Sequence, residues 1–206
     1  MKSKFLIVFG LLLANVCASA QNYFGVTGGY NLSTITERSG VEPGWREYSP
    51  KSGFNVGIAY EHRFAGSDKG NMFLGANILY SLEGYKFKEV VPEEVFNNPD
   101  IVFVNANTID YDGKIDIKLL KIPVSFGYNF QLTEKFGIAP KIFVIYDFEP
   151  SFNNSYIAFG GGFNFNIGER FSIGIGYDMK SWHHGSFDDG WYDNCHANLT
   201  YYIFSK

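Results

Sequence analysis

From residue 21 onward the chain alternates. Phe24, Val26, Tyr30 and Leu32 share one parity, and Gly25, Thr27, Gly29 and Asn31 share the other. A period of two puts successive side chains on opposite faces of a strand. The pattern returns with Phe54, Val56, Ile58 and Tyr60 against Asn55, Gly57, Ala59 and Glu61, and with Met72, Leu74, Ala76, Ile78, Tyr80 and Leu82 against Gly75, Asn77, Ser81 and Glu83. Further strands are predicted around Ile122–Phe130, Phe136–Phe148, Ile157–Ile167 and Phe171–Met179. The last strand, over about 194–204, is less regular: Ala197, Leu199, Tyr201 and Ile203 agree in parity and Phe204 does not. Ile115, Ile117 and Leu119 run out of phase with Ile122 and Val124, which predicts a bulge near Leu119–Leu120.

That makes eight strands, joined by segments of alternating length. Long joints are expected at 33–51, 86–114 and 181–193, with a modest one at 149–154. Short ones are expected at 65–70, 131–135 and 168–170. An even number of strands with long and short joints at opposite ends is the signature of an up-and-down barrel in an outer membrane. The apolar parity is graded too: in the fifth strand Phe136, Tyr146 and Phe148 bracket Ile138, Ile142 and Val144, as aromatic girdles bracket an aliphatic band. That segment covers about 40 Å at roughly 3.3 Å per residue, or about 30 Å across the membrane at a tilt near 40°. A soluble barrel would turn Lys and Glu toward water on its polar parity; here that parity is mostly Gly, Ala, Ser, Thr and Asn. The expected fold is therefore all-β, an eight-stranded antiparallel transmembrane β-barrel.

Composition fits once it is split by face. The 206 residues are 46% hydrophobic, 18% aromatic and only 18% charged, too aromatic for disorder. Mean hydropathy is −0.09, an average over two opposed faces and polar joints. A net charge of −4 argues against a nucleic-acid partner. The first residues read as a secretory signal: basic Lys2 and Lys4, the apolar run Phe5–Leu13, and Ala18-Ser19-Ala20 as a cleavage site. Cys17 is preceded by Asn15 and Val16, which disfavours a lipoprotein box. The expected organisation is a signal peptide at 1–20 and a barrel domain at 21–206, with Cys195 the one cysteine left after cleavage.

Candidate chemistry is sparse. Glu61, Arg63, Glu83, Lys121, Lys141, Asp147, Asp178 and Lys180 fall in the polar parity. They read either as an ion path or as a salt-bridge network, because buried charges need partners. A barrel of eight strands is just wide enough to be filled by side chains, which favours the network. His183, His184, Asp188, Asp189 and His196 could supply metal ligands, and Ser181 with His183, His184 and Asp188 a rim hydrolase. Neither set has a recognised spacing, and a solvated loop explains both. Gly160-Gly161-Gly162 lacks the Lys-Ser/Thr of a phosphate loop. No catalytic residue, cofactor or metal is therefore expected. Trp45 and the apolar stretch 90–104 in the long joints suggest contacts beyond plain solvation, with a partner or a surface.

Leu79-Tyr80-Ser81-Leu82-Glu83-Gly84, the segment Leu119-Leu120-Lys121-Ile122-Pro123-Val124, and Gly160-Gly161-Gly162-Phe163 with Ile173-Gly174-Ile175-Gly176-Tyr177 resemble the PorT-type outer-membrane β-barrel family. The resemblance covers nearly the whole chain after residue 20, but its motifs are structural. It implies a small monomeric barrel among outer-membrane lipid. Through the founding member it implies a link to a protein-secretion and gliding machinery reached through the long loops. The alternatives are a rim-active enzyme on lipid or peptide and a soluble periplasmic ligand-binding barrel.

Overall fold

The structure is a computed structural model that describes residues 21–37, 46–67, 69–89, 112–151, 153–184 and 188–205. The proposed signal peptide, Trp45 and the stretch 90–104 lie outside them. Eight strands follow one another: β1 (Gln21–Glu37), β2 (Arg46–Arg63), β3 (Gly70–Glu89), β4 (Asp112–Thr133), β5 (Phe136–Glu149), β6 (Asn154–Ile167), β7 (Phe171–His184) and β8 (Asp188–Ser205). Each pairs antiparallel with its neighbours in sequence, and β8 returns to β1, so one chain closes the whole barrel. Closure removes the sheet edges that cannot be left unpaired in lipid. Among the described residues no helix is long and apolar enough to cross a membrane; the crossing elements are strands.

Parity decides orientation throughout. The apolar parity lies outside: Ile142 is 67% exposed and Val124 46%, while the intervening residues face the lumen. Rings gather at both ends of this wall. Toward the short turns Phe24 and Tyr60 meet at 4.8 Å and Phe171 and Tyr201 at 5.0 Å. Tyr30, Tyr80, Tyr146, Tyr177 and Trp191 stand toward the other end. Their polar tips find partners: Tyr60 donates to Asn22 Oδ1 at 2.9 Å, and Tyr146 and Ser155 hydroxyls are 2.8 Å apart. An apolar ring body with a satisfied polar tip suits the membrane interface.

The short connections lie at residues 64–69, 134–135 and 168–170. Gly168 takes φ 61° in the tightest of them, a left-handed conformation that glycine adopts without steric penalty. Gln21 and Ser205 lie at this same end, since β1 begins and β8 ends there. For an outer-membrane barrel it is the periplasmic end.

Two expectations change. No bulge occurs at Leu119–Leu120: β4 stays in register with β3 across it. Ile117 and Leu119 instead face the lumen with Lys121, at 1% and 0% exposure. The irregularity expected in the last strand is present, at the end of β8, where Phe24 pairs with Phe204 but Gly25 with Tyr202. This bulge lets Ile203 and Phe204 both face outward and accounts for the broken parity there. Gly25 is needed opposite it, because a Cβ would lie 2.3 Å from the Tyr201 carbonyl oxygen. Finally, the strands outrun their apolar stretches. Most of the expected 181–193 joint is ladder, with β7 reaching His184 and β8 starting at Asp188. The expected joints 33–51 and 86–114 also begin and end in strand.

Candidate functional site in the lumen and at the outer rim

The lumen is filled in layers. At the periplasmic end Arg63 Nε donates to Glu61 Oε1 at 2.6 Å, and its guanidinium sits 4.1 Å from the centre of the Tyr23 ring. Tyr202 donates to the other Glu61 oxygen at 3.1 Å and meets Tyr23 edge-on at 5.5 Å. With Phe73 at 1% exposure, these side chains close that end.

Further out lies a charged layer. Lys121 Nζ donates to Glu83 Oε1 at 2.7 Å and is 3.6 Å from Asp178 Oδ1. Lys180 pairs with Asp147 and stands 4.8 Å from the centre of the Tyr192 ring. Asn194 donates to Asp178 Oδ2 at 2.9 Å, Ser81 to Glu83 Oε1 at 2.9 Å, and Asn31 to Ser81 Oγ at 3.1 Å. Strands β1, β3, β4, β5, β7 and β8 are thereby tied across the lumen. All five charged groups are at most 4% exposed. Removing one partner from such a set leaves an uncompensated buried charge.

An apolar cap closes the outer end. Ile35, Tyr85, Ile117, Leu119 and Tyr192 cluster at no more than 4% exposure, with Tyr48, Phe87, Ile115 and Tyr156 packed on them. The Tyr192 hydroxyl accepts from the Gly84 backbone N–H at 3.0 Å.

Between the layers is a cavity of about 40 Å³ lined by Asn55, Asn77, Lys141, Phe143, Asn198 and His196, among others. One water needs roughly 10–15 Å³, so the space suits a few waters and excludes a nutrient-sized solute.

The candidate residues separate accordingly. Glu61, Arg63, Glu83, Lys121, Asp147, Asp178 and Lys180 are the salt-bridged network. Lys141 enters the lumen without a carboxylate within salt-bridge distance among the described residues; its Nζ stands 5.7 Å from the Phe143 ring centre. His196 leaves the expected histidine cluster altogether. Its Nδ1 is 3.3 Å from Asp178 Oδ2 inside the barrel. His183 and His184 pair through the backbone with Asp189 and Asp188, seven or more positions up the same ladder, about 23 Å away at roughly 3.3 Å per residue. Ser181 pairs with Trp191 in that ladder and is exposed on it. Gly160 is glycine for space: a Cβ would stand 2.3 Å from the Tyr177 carbonyl oxygen and 2.4 Å from the Phe143 ring.

The sequence reading missed Tyr85 and Tyr192 as the cap, although both share the parity of inward-facing neighbours such as Glu83 and Asn194. It also missed the part played by Asn31 and Asn194.

Apolar rings and aliphatics outside, paired charges inside and a closed ladder define an integral outer-membrane β-barrel. The comparisons name the group: residues 19–171 match the outer membrane protein beta-barrel domain family, and the chain belongs to it. Its place is the outer membrane of a Gram-negative-type bacterium. Similar solved structures include Ail, the attachment invasion locus protein of Yersinia pestis, in complex with the heparin analogue sucrose octasulfate. That likeness has 16% identity over 89% of this chain and 99% of the other, with a TM-score of 0.42. Neisserial surface protein A is 12% identical over 86% and 96%, with a TM-score of 0.40. A de novo designed transmembrane β-barrel is 11% identical over 89% and 95%, with a TM-score of 0.36. No curated protein matches.

Proposed function

We propose that this barrel is a non-enzymatic envelope component, closed to solutes, that works through its outer rim as a scaffold or partner-binding protein. The filled lumen carries this reading. Both ends hold fully buried large side chains, and the cavity between them is about 40 Å³. The His196–Asp178 pair, the nearest thing to acid–base machinery, faces that space, where no lipid or peptide fits. What remains for recognition is the rim, where β1 to β4, β7 and β8 reach beyond the last β5–β6 pair. Residues 1–20 would direct export, and a single chain would act as a monomer. The PorT-type motifs favour a secretion-machinery protein as the partner at residues 38–45 and 90–111.

The test replaces each of these segments by a short Gly-Ser linker in the otherwise intact chain. Retained heat-modifiable gel mobility together with loss of the deletion phenotype's complementation supports the reading. Full complementation by both linker variants contradicts it. A hydrolase reading would instead require that His183→Ala and His184→Ala abolish an envelope activity.

A further inference from the structure

Above the aromatic girdle the outer wall of β3 and β4 changes character. Along this outward ladder Tyr80 pairs with Leu120, Leu82 with Lys118, Gly84 with Asp116, and Lys86 with Lys114. Lys86, Lys114 and Lys118 are all exposed. The acid among them, Asp116, is engaged by Lys51, which reaches over Gly84 to it. No carboxylate lies within salt-bridge distance of Lys86, Lys114 or Lys118 among the described residues.

Two like charges directly opposite on a ladder destabilise it, so the Lys86–Lys114 pair calls for an anion from outside. Edge protection by lysine accounts for Lys114 and Lys118, since β4 has no β5 partner above Leu120. It does not account for Lys86 on β3, which is paired on both sides. The ladder ends at a groove of about 580 Å³ at the rim, lined by Ser49, Lys86, Lys88 and Lys114 and by Tyr48 and Phe87 of the cap, within the size range of ligand pockets. The height is set by the wall itself. Lys118 is one pair above Tyr80–Leu120, the last apolar pair, and Lys86–Lys114 is about 13 Å further along at roughly 3.3 Å per residue. At a tilt near 40° the three lysines span about 10 Å of height, from the edge of the apolar band at Lys118 outward through the polar layer of the outer leaflet.

We propose that Lys118, Lys86 and Lys114 form a binding site for the phosphate groups of outer-leaflet glycolipid, with its acyl chains against Tyr80 and Leu120 and its headgroup in the groove. The inference depends on the barrel's orientation and not on the partner proposed above.

The experiment reconstitutes the full barrel into phosphatidylcholine nanodiscs carrying a trace of fluorescent phosphorylated lipid A and measures its enrichment around the protein. Enrichment that falls about a hundredfold in Lys86→Gln/Lys114→Gln/Lys118→Gln, at roughly tenfold or less per lysine, and that survives the all-arginine variant supports the site. So does weaker enrichment at high salt. Lys69→Gln/Lys135→Gln, at the periplasmic turns, should leave it unchanged. Equal enrichment of dephosphorylated lipid A overturns the proposal, as does an unchanged triple glutamine variant. Lysine-dependent binding of a soluble sulfated polysaccharide without lipid A enrichment also overturns it, in favour of a polysaccharide partner. Heat-modifiable mobility of every variant verifies that the barrel has formed.

Discussion

Lys141 and Ile142 are adjacent on β5 and live in opposite solvents. Lys141 points into the lumen beside Phe143, while Ile142 lies 67% exposed on the lipid-facing wall. Neither is anomalous once parity is known. A charge on the inner face draws on fixed dipoles and other charges; on the outer face it would meet hydrocarbon. The difference teaches that in this chain a residue's cost is set by which face it occupies, far more than by its type.

The largest expected effect breaks the inner face. Lys121→Ala leaves Glu83 and Asp178 without their cation and should lower stability by about 4 kcal/mol, read from urea-dependent loss of the compact gel form. Lys121→Met with Glu83→Gln should recover part of that loss, because it removes both charges of the close pair. A loss no greater than about 1 kcal/mol for Lys121→Ala would contradict the network.

Next comes the outer face. Ile142→Lys should cost about 3 kcal/mol in unfolding from vesicles, as for a cation near the bilayer midplane. Leu119→Ala follows, at about 2–3 kcal/mol for a cavity in the outer cap. If Leu119 instead marked a bulge, the substitution would be nearly neutral. The smallest effect is Lys141→Ile, within about 1 kcal/mol of wild type, since an unpaired inward cation can be replaced by an apolar group without orphaning a partner. Equal costs for Ile142→Lys and Lys141→Ile in the same assay would dissolve the comparison of faces.

Much of the barrel was legible because lipid on one side and a narrow lumen on the other force period-two patterning through the wall. The 168–170 turn follows from the sequence to the residue, as does the inward parity of Glu61 through Lys180. The misread came at Ile115, Ile117 and Leu119. Within the membrane an apolar residue belongs outside, and extending that rule upward gives the false bulge. Above the apolar band the rule inverts: Lys114, Asp116 and Lys118 face the polar surroundings outside while the aliphatics between them build the cap inside. The end of β8 was irregular in sequence for a different reason, its bulge against Phe24 and Gly25. Proximity in sequence groups His196 with His183 and His184, whereas its parity with Asn194 and Asn198 places it in the lumen.

The central claim is that the lumen is closed, which leaves recognition to the rim. Single-barrel recording of the purified, refolded protein in a planar bilayer tests it most directly. The account predicts a quiet trace at leak level for wild type, with steps emerging only when the cap and the periplasmic plug are both opened, as in Tyr192→Ala/Leu119→Ala/Tyr23→Ala/Phe73→Ala. Discrete, ion-selective steps from the wild-type barrel would contradict it.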